Sequence, residues 1–116
     1  MSEADMLTFD ADGLVPAVVQ DEATGAVLML GFMNRESIAH TFASGRVTFW
    51  SRSRDELWEK GATSGNYLEL VRIAKNCEAN SLLVTARPLG PTCHTGNASC
   101  YYREFDPTAD LPPIED

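Results

Sequence analysis

The stretch "GLVPAVVQDEATGAVLMLGFMN" (Gly13–Asn34) decides the fold class, because it holds two apolar runs on either side of a turn. The runs Gly13–Gln20 and Ala26–Met33 are rich in valine and other residues that favour strands. The residues "DEATG" between them are typical of a turn. We therefore predict an antiparallel β-hairpin at this point in the chain.

The segment after the hairpin predicts a single helix. Asn34 is a good N-cap, because its side-chain oxygen can accept hydrogen bonds from free amides of the first turn. Gly45 marks the end of the helix. Between them, apolar residues recur at helical spacing at Ile38, Ala39, Phe42 and Ala43. We expect this apolar stripe to face the core.

The rest of the chain predicts further strands and one long polar loop. The loop is Arg52–Asn66, and the strands are Val47–Ser51, Tyr67–Lys75, Ser81–Arg87 and Cys100–Phe105. The order β-β-α-β-β-β-β predicts one α+β domain with a largely antiparallel sheet and one principal helix. One helix covers only one face of such a sheet, so the other face must meet solvent or a second subunit.

Length and hydropathy narrow the class of protein. A chain of 116 residues fits one domain. No apolar run approaches the roughly 20 residues of a membrane span. The acidic N-terminus has no basic region followed by an apolar one, so it does not resemble a secretory signal. We expect a cytoplasmic protein with no membrane partner.

The formal net charge of −8 comes from the two ends of the chain. Residues 1–12 and residues 106–116 each hold four acidic residues and no basic one. Residues 13–105 are neutral overall, and we expect them to form the folded domain. We expect the two ends to be solvating, disordered tails. The sequence shows no basic face of the kind that binds nucleic acid.

The segment "GPTCHTGNASC" (Gly90–Cys100) holds two of the three cysteines. An odd number of cysteines without an export signal argues against a disulfide framework. Zinc is bound by thiolate and imidazole, and an open coordination position is typical of a catalytic site. The sequence leaves open whether Cys77, Cys93 and Cys100 bind a metal or are unrelated buried thiols.

The positions of the cysteines pose a geometric problem for one metal ion. Cys77 and Cys93 lie on either side of the predicted strand Ser81–Arg87, which spans roughly 20 Å. Either the chain doubles back, or a second subunit supplies one ligand. His94 directly follows Cys93, and it is either a proton carrier beside metal-bound water or an ordinary loop histidine.

The segment "FWSRSRDELWEKGATSGN" (Phe49–Asn66) combines basic, aromatic and hydroxyl side chains. Arginine matches phosphate with two hydrogen bonds, and glycines allow backbone amides to approach an anion. The segment therefore predicts a pocket for a phosphorylated ligand. The alternative is a charged surface loop with tryptophans in the core.

Three stretches of this sequence together resemble one known family. Gly13–Asn34, Val47–Asn66 and Gly90–Cys100 are similar to the phosphoribosyl-AMP cyclohydrolases of histidine biosynthesis. The resemblance covers about residues 13–103. It implies hydrolytic opening of the N1–C6 bond in the adenine ring of 1-(5-phosphoribosyl)-AMP. The exocyclic nitrogen is then retained as a carboxamide, in the phosphoribosylformimino-aminoimidazole carboxamide ribotide.

The resemblance also implies a site and an assembly. The family forms an intertwined homodimer with active sites at the subunit interface. One Zn²⁺ per subunit would be held by Cys77 of one chain with Cys93 and Cys100 of the other, and His94 would transfer protons. The phosphorylated nucleotide substrate would be bound by Trp50, Ser51, Arg52, Ser53, Arg54, Lys60, Thr63, Ser64 and Gly65.

The sequence departs from the family around the first cysteine. The family pattern D-C-D-x-D, whose aspartates bind Mg²⁺, is replaced here by Asn76, Cys77, Glu78, Ala79 and Asn80. One carboxylate and two amides stand where the family has three carboxylates, so we expect a weak magnesium site or none. We expect the monofunctional form, in which another polypeptide removes pyrophosphate from the preceding intermediate.

Two other functions stay open at this point. One is a non-catalytic, zinc-stabilised dimer that binds a nucleotide. The other is a hydrolase that acts on a related purine-like substrate.

Overall fold

The predicted hairpin lies within a four-stranded sheet in the computed structural model, which describes residues 3–108. The strands β1 (Val15–Asp21) and β2 (Val27–Met33) pair antiparallel, as the sequence predicts. Two later strands, which we label β5 (Leu68–Lys75) and β6 (Leu82–Pro88), also pair antiparallel. The order is β2-β1-β6-β5, and β1 and β6 run parallel at the centre. The prediction of one α+β domain with a largely antiparallel sheet is confirmed.

The single principal helix, α1 (Arg35–Ser44), begins and ends at the predicted residues. Asn34 Oδ1 accepts from the Ser37 amide at 2.8 Å, and Ser37 Oγ accepts from the Asn34 amide at 2.9 Å, which forms a capping box. Gly45 adopts the left-handed conformation at φ 73°, and its amide donates to Thr41 O.

The face of α1 that packs on the core differs from the predicted stripe. Ser37, Ile38 and Thr41 are buried, whereas Phe42 is 59% exposed. Ala39 and Ala43 are exposed as well. A threonine can occupy the core here because its hydroxyl is satisfied. Thr41 Oγ1 donates to Ser37 O at 2.8 Å and accepts from the Thr48 amide at 3.0 Å.

A second, two-stranded sheet contradicts part of the predicted long loop. The strand β3 (Thr48–Ser51) lies within the predicted Val47–Ser51 strand. It pairs antiparallel with β4 (Glu56–Glu59), which falls inside the segment predicted to be loop. The pairing places Phe49 opposite Trp58, and their ring centroids lie 5.7 Å apart. This cross-strand aromatic contact stabilises the hairpin, although β4 is short and has a glutamate at each end.

The predicted last strand, Cys100–Phe105, is wrong. The Cys100 amide donates to Leu28 O at 2.8 Å, but residues 100–105 do not form a strand. Tyr101 and Phe105 are 61% and 79% exposed, so the aromatic residues of this segment do not pack on the sheet. The aromatic residues that favoured a strand here therefore lie at the surface and not in the sheet.

The N-terminal segment is not a disordered tail over residues 3–9. Glu3–Met6 form a 3-10 turn, and Leu7 and Phe9 pack against the core. The Thr8 amide donates to Ala79 O at 2.7 Å, and Lys75 Nζ donates to Glu3 Oε2 at 2.6 Å. Most of the predicted C-terminal tail, 106–116, lies outside the described residues, so that boundary stays a prediction.

The core lies between one face of the four-stranded sheet, α1 and β3. Its largest buried side chains include Phe49, Met33 and Leu68. The opposite face of the sheet carries an apolar row in which Val18 pairs with Leu30 and Leu83, which are 43% and 41% exposed. Among the described helices, none has the length and apolar character needed to cross a membrane.

Candidate active site

The cysteine loop after β6 is closed by its own backbone. The Cys93 amide donates to Asn97 O at 3.0 Å, and the Gly96 amide donates to Cys93 O at 3.0 Å. Gly96 has φ 91°, which a residue with a side chain rarely adopts. The loop therefore folds back on itself and brings residues after Gly96 next to Cys93.

Two hydrogen bonds attach the end of this loop to β2. Ser99 Oγ donates to Val27 O at 2.7 Å, and the Cys100 amide donates to Leu28 O at 2.8 Å. Because one end of the loop continues from β6 and the other is held on β2, its two cysteines come together at one end of the sheet.

The thiols of Cys93 and Cys100 are close enough to share a hydrogen bond. The pKa of the Cys93 thiol lies below its ordinary value, chiefly because the Thr95 hydroxyl donates to Sγ at 3.0 Å. The Thr95 amide, the Cys100 thiol and the positive charge of Lys60 lower it further. Burial raises the pKa of Cys100, and its hydrogen bond to Cys93 adds to that rise. A thiol already biased towards thiolate beside a second thiol fits a zinc-binding donor set.

Cys77 is not part of this cluster within one chain. It is exposed in the turn between β5 and β6, whereas Cys93 follows the far end of β6. A seven-residue strand such as β6 spans roughly 20 Å, so the two cysteines lie at opposite ends of the sheet. Within residues 3–108, no three His, Cys, Asp or Glu side chains lie close enough to hold a metal ion.

The side chains around Cys77 bond to one another within the turn. Asn76 Oδ1 accepts from the amides of Asn80 and Ser81 at 2.8 and 3.0 Å. Asn76 Nδ2 donates to Asn80 Oδ1 at 2.6 Å, and Asn80 Nδ2 donates to Glu78 Oε2 at 3.3 Å. Magnesium requires a near-octahedral set of oxygens. The amide oxygens here are engaged within the turn, so these residues do not fit that ion.

One pocket lies against Cys93, and we call it the thiol pocket. It has a volume of about 350 Å³. Its lining includes Lys60, Thr63, Ser64, Cys93 and the exposed His94. The thiol pocket therefore brings together a cation, hydroxyls, a thiol and an imidazole, which is the chemistry of an anion site beside a metal site.

A second pocket, which we call the aromatic pocket, lies next to the thiol pocket. It has a volume of about 520 Å³ and includes Trp50, Ser51, Arg52 and Ser53 in its lining. The guanidinium of Arg52 lies 3.9 Å from the centroid of the Phe32 ring. The predicted substrate residues are thus divided between two pockets.

Two of the predicted substrate residues line neither pocket. Arg54 pairs with Glu56 at 3.7 Å on the surface. Gly65 has φ 81°, and its amide donates to Gly61 O at 2.7 Å, so it shapes the loop that carries Thr63 and Ser64.

Three further residues of this site, Trp58, Thr92 and Thr95, carry little signal in the sequence. Trp58 lines both pockets, and its place in the basic and aromatic segment was the only signal for it. Thr92 lines the thiol pocket and is 1% exposed, yet its hydroxyl has no hydrogen-bond partner among residues 3–108. Thr95 contacts Cys93 through a loop geometry that the sequence does not reveal.

Comparisons with known proteins show the family to which the sequence belongs. The family model described as phosphoribosyl-AMP cyclohydrolase matches residues 29–102. The protein named phosphoribosyl-AMP cyclohydrolase in Lacticaseibacillus casei is 53% identical over 109 residues, which cover 91% of this chain and 99% of that protein. The protein of the same name in Ruegeria pomeroyi is 53% identical over 111 residues, 93% of each chain. The histidine biosynthesis bifunctional protein HisIE of Photobacterium profundum is 48% identical over 103 residues, which cover 89% of this chain and 50% of that protein. The chain belongs to the phosphoribosyl-AMP cyclohydrolase family.

Proposed function

We propose that the protein opens the adenine ring of 1-(5-phosphoribosyl)-AMP at the N1–C6 bond in histidine biosynthesis, in the cytoplasm. The relatives named for this activity, at 53% identity over nearly the whole chain, support the proposal. The single structural observation that carries it is the thiol pocket. There the Cys93 thiol, which is hydrogen-bonded to the Cys100 thiol, lines one cavity together with the His94 imidazole and the Lys60 ammonium group.

The two pockets match the two ends of the proposed substrate, which carries two phosphates. Lys60, Thr63 and Ser64 would bind one phosphate in the thiol pocket, and Arg52 would bind the other in the aromatic pocket. Trp58, which lies between them, offers an aromatic face for the base. With one phosphate bound in each pocket, C6 of the adenine ring would face Cys93 and His94.

Cys93 and Cys100 would hold a zinc ion together with Cys77 of the partner subunit. Zinc would supply a water molecule whose pKa lies near neutrality. His94 is exposed in the wall of the thiol pocket, so it can accept a proton from the attacking water and return one to N1 as the ring bond breaks.

The proposed site requires a homodimer, because Cys77 lies too far from Cys93 in its own chain. The apolar row formed by Leu30, Val18 and Leu83 offers a surface for a second copy. Each dimer would then hold two shared sites and one zinc per subunit.

The activity is tested by incubating purified protein with phosphoribosyl-AMP and following ring opening by ultraviolet absorbance, with and without a zinc chelator. We expect activity that the chelator removes and added zinc restores. Substrate binding without ring opening would support a nucleotide-binding protein instead. Full activity in zinc-free protein would refute the zinc role.

The shared site is tested by mixing two inactive variants, Cys77→Ser and Cys93→Ser. A heterodimer of these chains has one site with both defects and one intact site, so part of the activity should return. Each variant alone is the control. Verified heterodimers without activity would refute the shared site.

The substrate pocket is tested with a pair of matched variants. Lys60→Gln should raise KM, because a charge-assisted hydrogen bond to phosphate is lost. Arg54→Gln removes a positive charge from the same segment but outside both pockets, so it should leave KM nearly unchanged. An equal effect of the two variants would indicate general charge attraction and not a phosphate site.

A further inference from the structure

A chain of two hydrogen bonds leads to the sulfur of Cys93 from side chains that the proposed function does not use. Thr95 Oγ1 donates to Cys93 Sγ at 3.0 Å. Asn97 Nδ2 donates to Thr95 Oγ1 at 2.9 Å. The three side chains therefore form one continuous relay that ends on the sulfur.

The direction of each hydrogen bond in this relay is fixed by donor chemistry. A hydroxyl group has one proton, whereas the amide nitrogen of Asn97 can only donate. Because Thr95 Oγ1 accepts from Asn97, its own proton is left to point at the sulfur. Asn97 thus acts on the orientation of the Thr95 hydroxyl and not on Cys93 directly.

The loop backbone supports the same arrangement independently. The Cys93 amide donates to Asn97 O at 3.0 Å, and the turn at Gly96 with φ 91° brings Asn97 back towards Cys93. Thr95 and Asn97 are exposed, so water could satisfy both side chains. Their contact with the sulfur is therefore set by the shape of the loop and not by a need to satisfy buried polar groups.

We propose that Thr95 and Asn97 are positioning residues that hold the Cys93 thiolate in the orientation needed for metal binding, a role that rests on the proposed zinc site. Residues that bond to metal ligands fix the ligand orientation, and their loss typically weakens metal affinity about 10- to 100-fold. The relay uses one lone pair of the sulfur, and the Cys100 proton that bonds to the same sulfur would be lost when both cysteines bind a metal ion as thiolates.

The decisive measurement is the zinc affinity of full-length protein by competition with a chromophoric chelator. Thr95→Val removes the hydroxyl but keeps the side-chain shape, and we expect about 10- to 100-fold weaker zinc binding. Thr95→Ser keeps the hydroxyl and should bind zinc nearly as the native protein does. Cobalt added alone should give a weaker thiolate-to-metal absorption band in Thr95→Val than in Thr95→Ser.

Asn97→Ala provides a second variant that tests the order of the relay. It should weaken zinc binding in the native background, but it should have little further effect in Thr95→Val, because Asn97 acts through Thr95. Native-like zinc affinity in Thr95→Val would overturn the proposal. So would an equal loss in Thr95→Ser, or an additive effect of Asn97→Ala.

Cys93→Ser separates this proposal from the proposed function. If Cys93→Ser retains native zinc affinity, the zinc site itself is refuted. If Cys93→Ser loses zinc while Thr95→Val keeps it, the zinc site stands and only the relay is refuted. Far-ultraviolet circular dichroism of each variant checks that the fold is intact.

Discussion

Gly31→Ala should destabilise the protein, although glycine in a strand is usually unfavourable. Gly31 lies in β2 opposite Ala17, and a methyl group added there would lie 2.5 Å from Cδ1 and 2.7 Å from Cε1 of Phe49. Favourable contacts between carbon atoms lie near 3.5–4.0 Å. Phe49 is 1% exposed and its ring packs against Trp58, so it has little room to move away.

Two opposing effects determine the size of the loss. Replacing glycine by alanine restricts the unfolded chain and stabilises a protein by about 0.4–1 kcal/mol. Overpacking a core costs about 1–3 kcal/mol. Because the Phe49 ring is held on several sides, we expect the cost to exceed the gain, with a net loss of about 1–2 kcal/mol in the free energy of unfolding.

Urea denaturation of Gly31→Ala, Phe49→Leu and the double variant measures this effect. Phe49→Leu makes room for the methyl group, so it should cost less in the Gly31→Ala background than in the native protein. KM should also rise in Gly31→Ala, because Gly31, Phe49 and Trp58 line the aromatic pocket. A Gly31→Ala protein as stable as the native one, with additive effects of the two substitutions, would refute the reasoning.

Three further predictions concern local hydrogen bonds. Thr92→Val should raise the free energy of unfolding of the unliganded protein by about 1 kcal/mol, since the buried hydroxyl has no partner to lose in the part of the chain that the structure describes. A fall in stability would mean that this hydroxyl is bonded. Asn34→Ala should lower the free energy of unfolding by about 1 kcal/mol, because the N-cap of α1 is lost, whereas Asn34→Asp keeps the cap. Equal stability of these two variants would show that the capping box does not stabilise the protein. The melting temperature of the native protein should not respond to millimolar Mg²⁺. The double substitution Asn76→Asp and Asn80→Asp should lower that temperature, because two amide groups that donate hydrogen bonds become carboxylates. The new carboxylates should also make the melting temperature depend on Mg²⁺. Tight Mg²⁺ binding by the native chain would contradict this expectation.

Local signals made the hairpin and the ends of α1 predictable. A turn between two apolar runs needs no distant partner, and Asn34 and Gly45 form their caps with residues within four positions along the chain. The strand β4 could not be predicted in this way. Its stabilising contact is Trp58 against Phe49, and only the register of the two strands brings these rings together.

The same distinction between local and distant contacts explains why the predictions for the last strand, the N-terminal segment and the core face of α1 were wrong. Cys100–Phe105 has the composition of a strand, but composition alone cannot show that only Cys100 reaches a neighbouring strand. The N-terminal segment is acidic, yet Leu7 and Phe9 find apolar contacts on the core. Thr41 replaces an apolar residue in the core because Thr48, in another element, supplies its hydrogen bond.

For the candidate site, the sequence predicted the types of residue involved better than their arrangement in space. The spacing of Cys77 and Cys93 around a strand left two possibilities, a chain that doubles back or a second subunit that supplies one ligand. Within residues 3–108 the chain does not double back to bring the three thiols together. The division of the basic segment into two pockets depends on the β3–β4 hairpin, which the sequence did not predict. The relay from Asn97 to Cys93 depends on a loop closure at Gly96 that no spacing rule describes.

The parallel pairing of β1 with β6 has a consequence for synthesis on the ribosome. The hairpin of β1 and β2 is local and can form early, whereas Ala17 of β1 finds its second partner only when Leu82 of β6 has been made. Until then the nascent chain carries an apolar strand with one unpaired edge, a type of surface that associates readily with other chains. Until β6 has emerged from the ribosome, that edge of β1 therefore stays open to pairing with other chains.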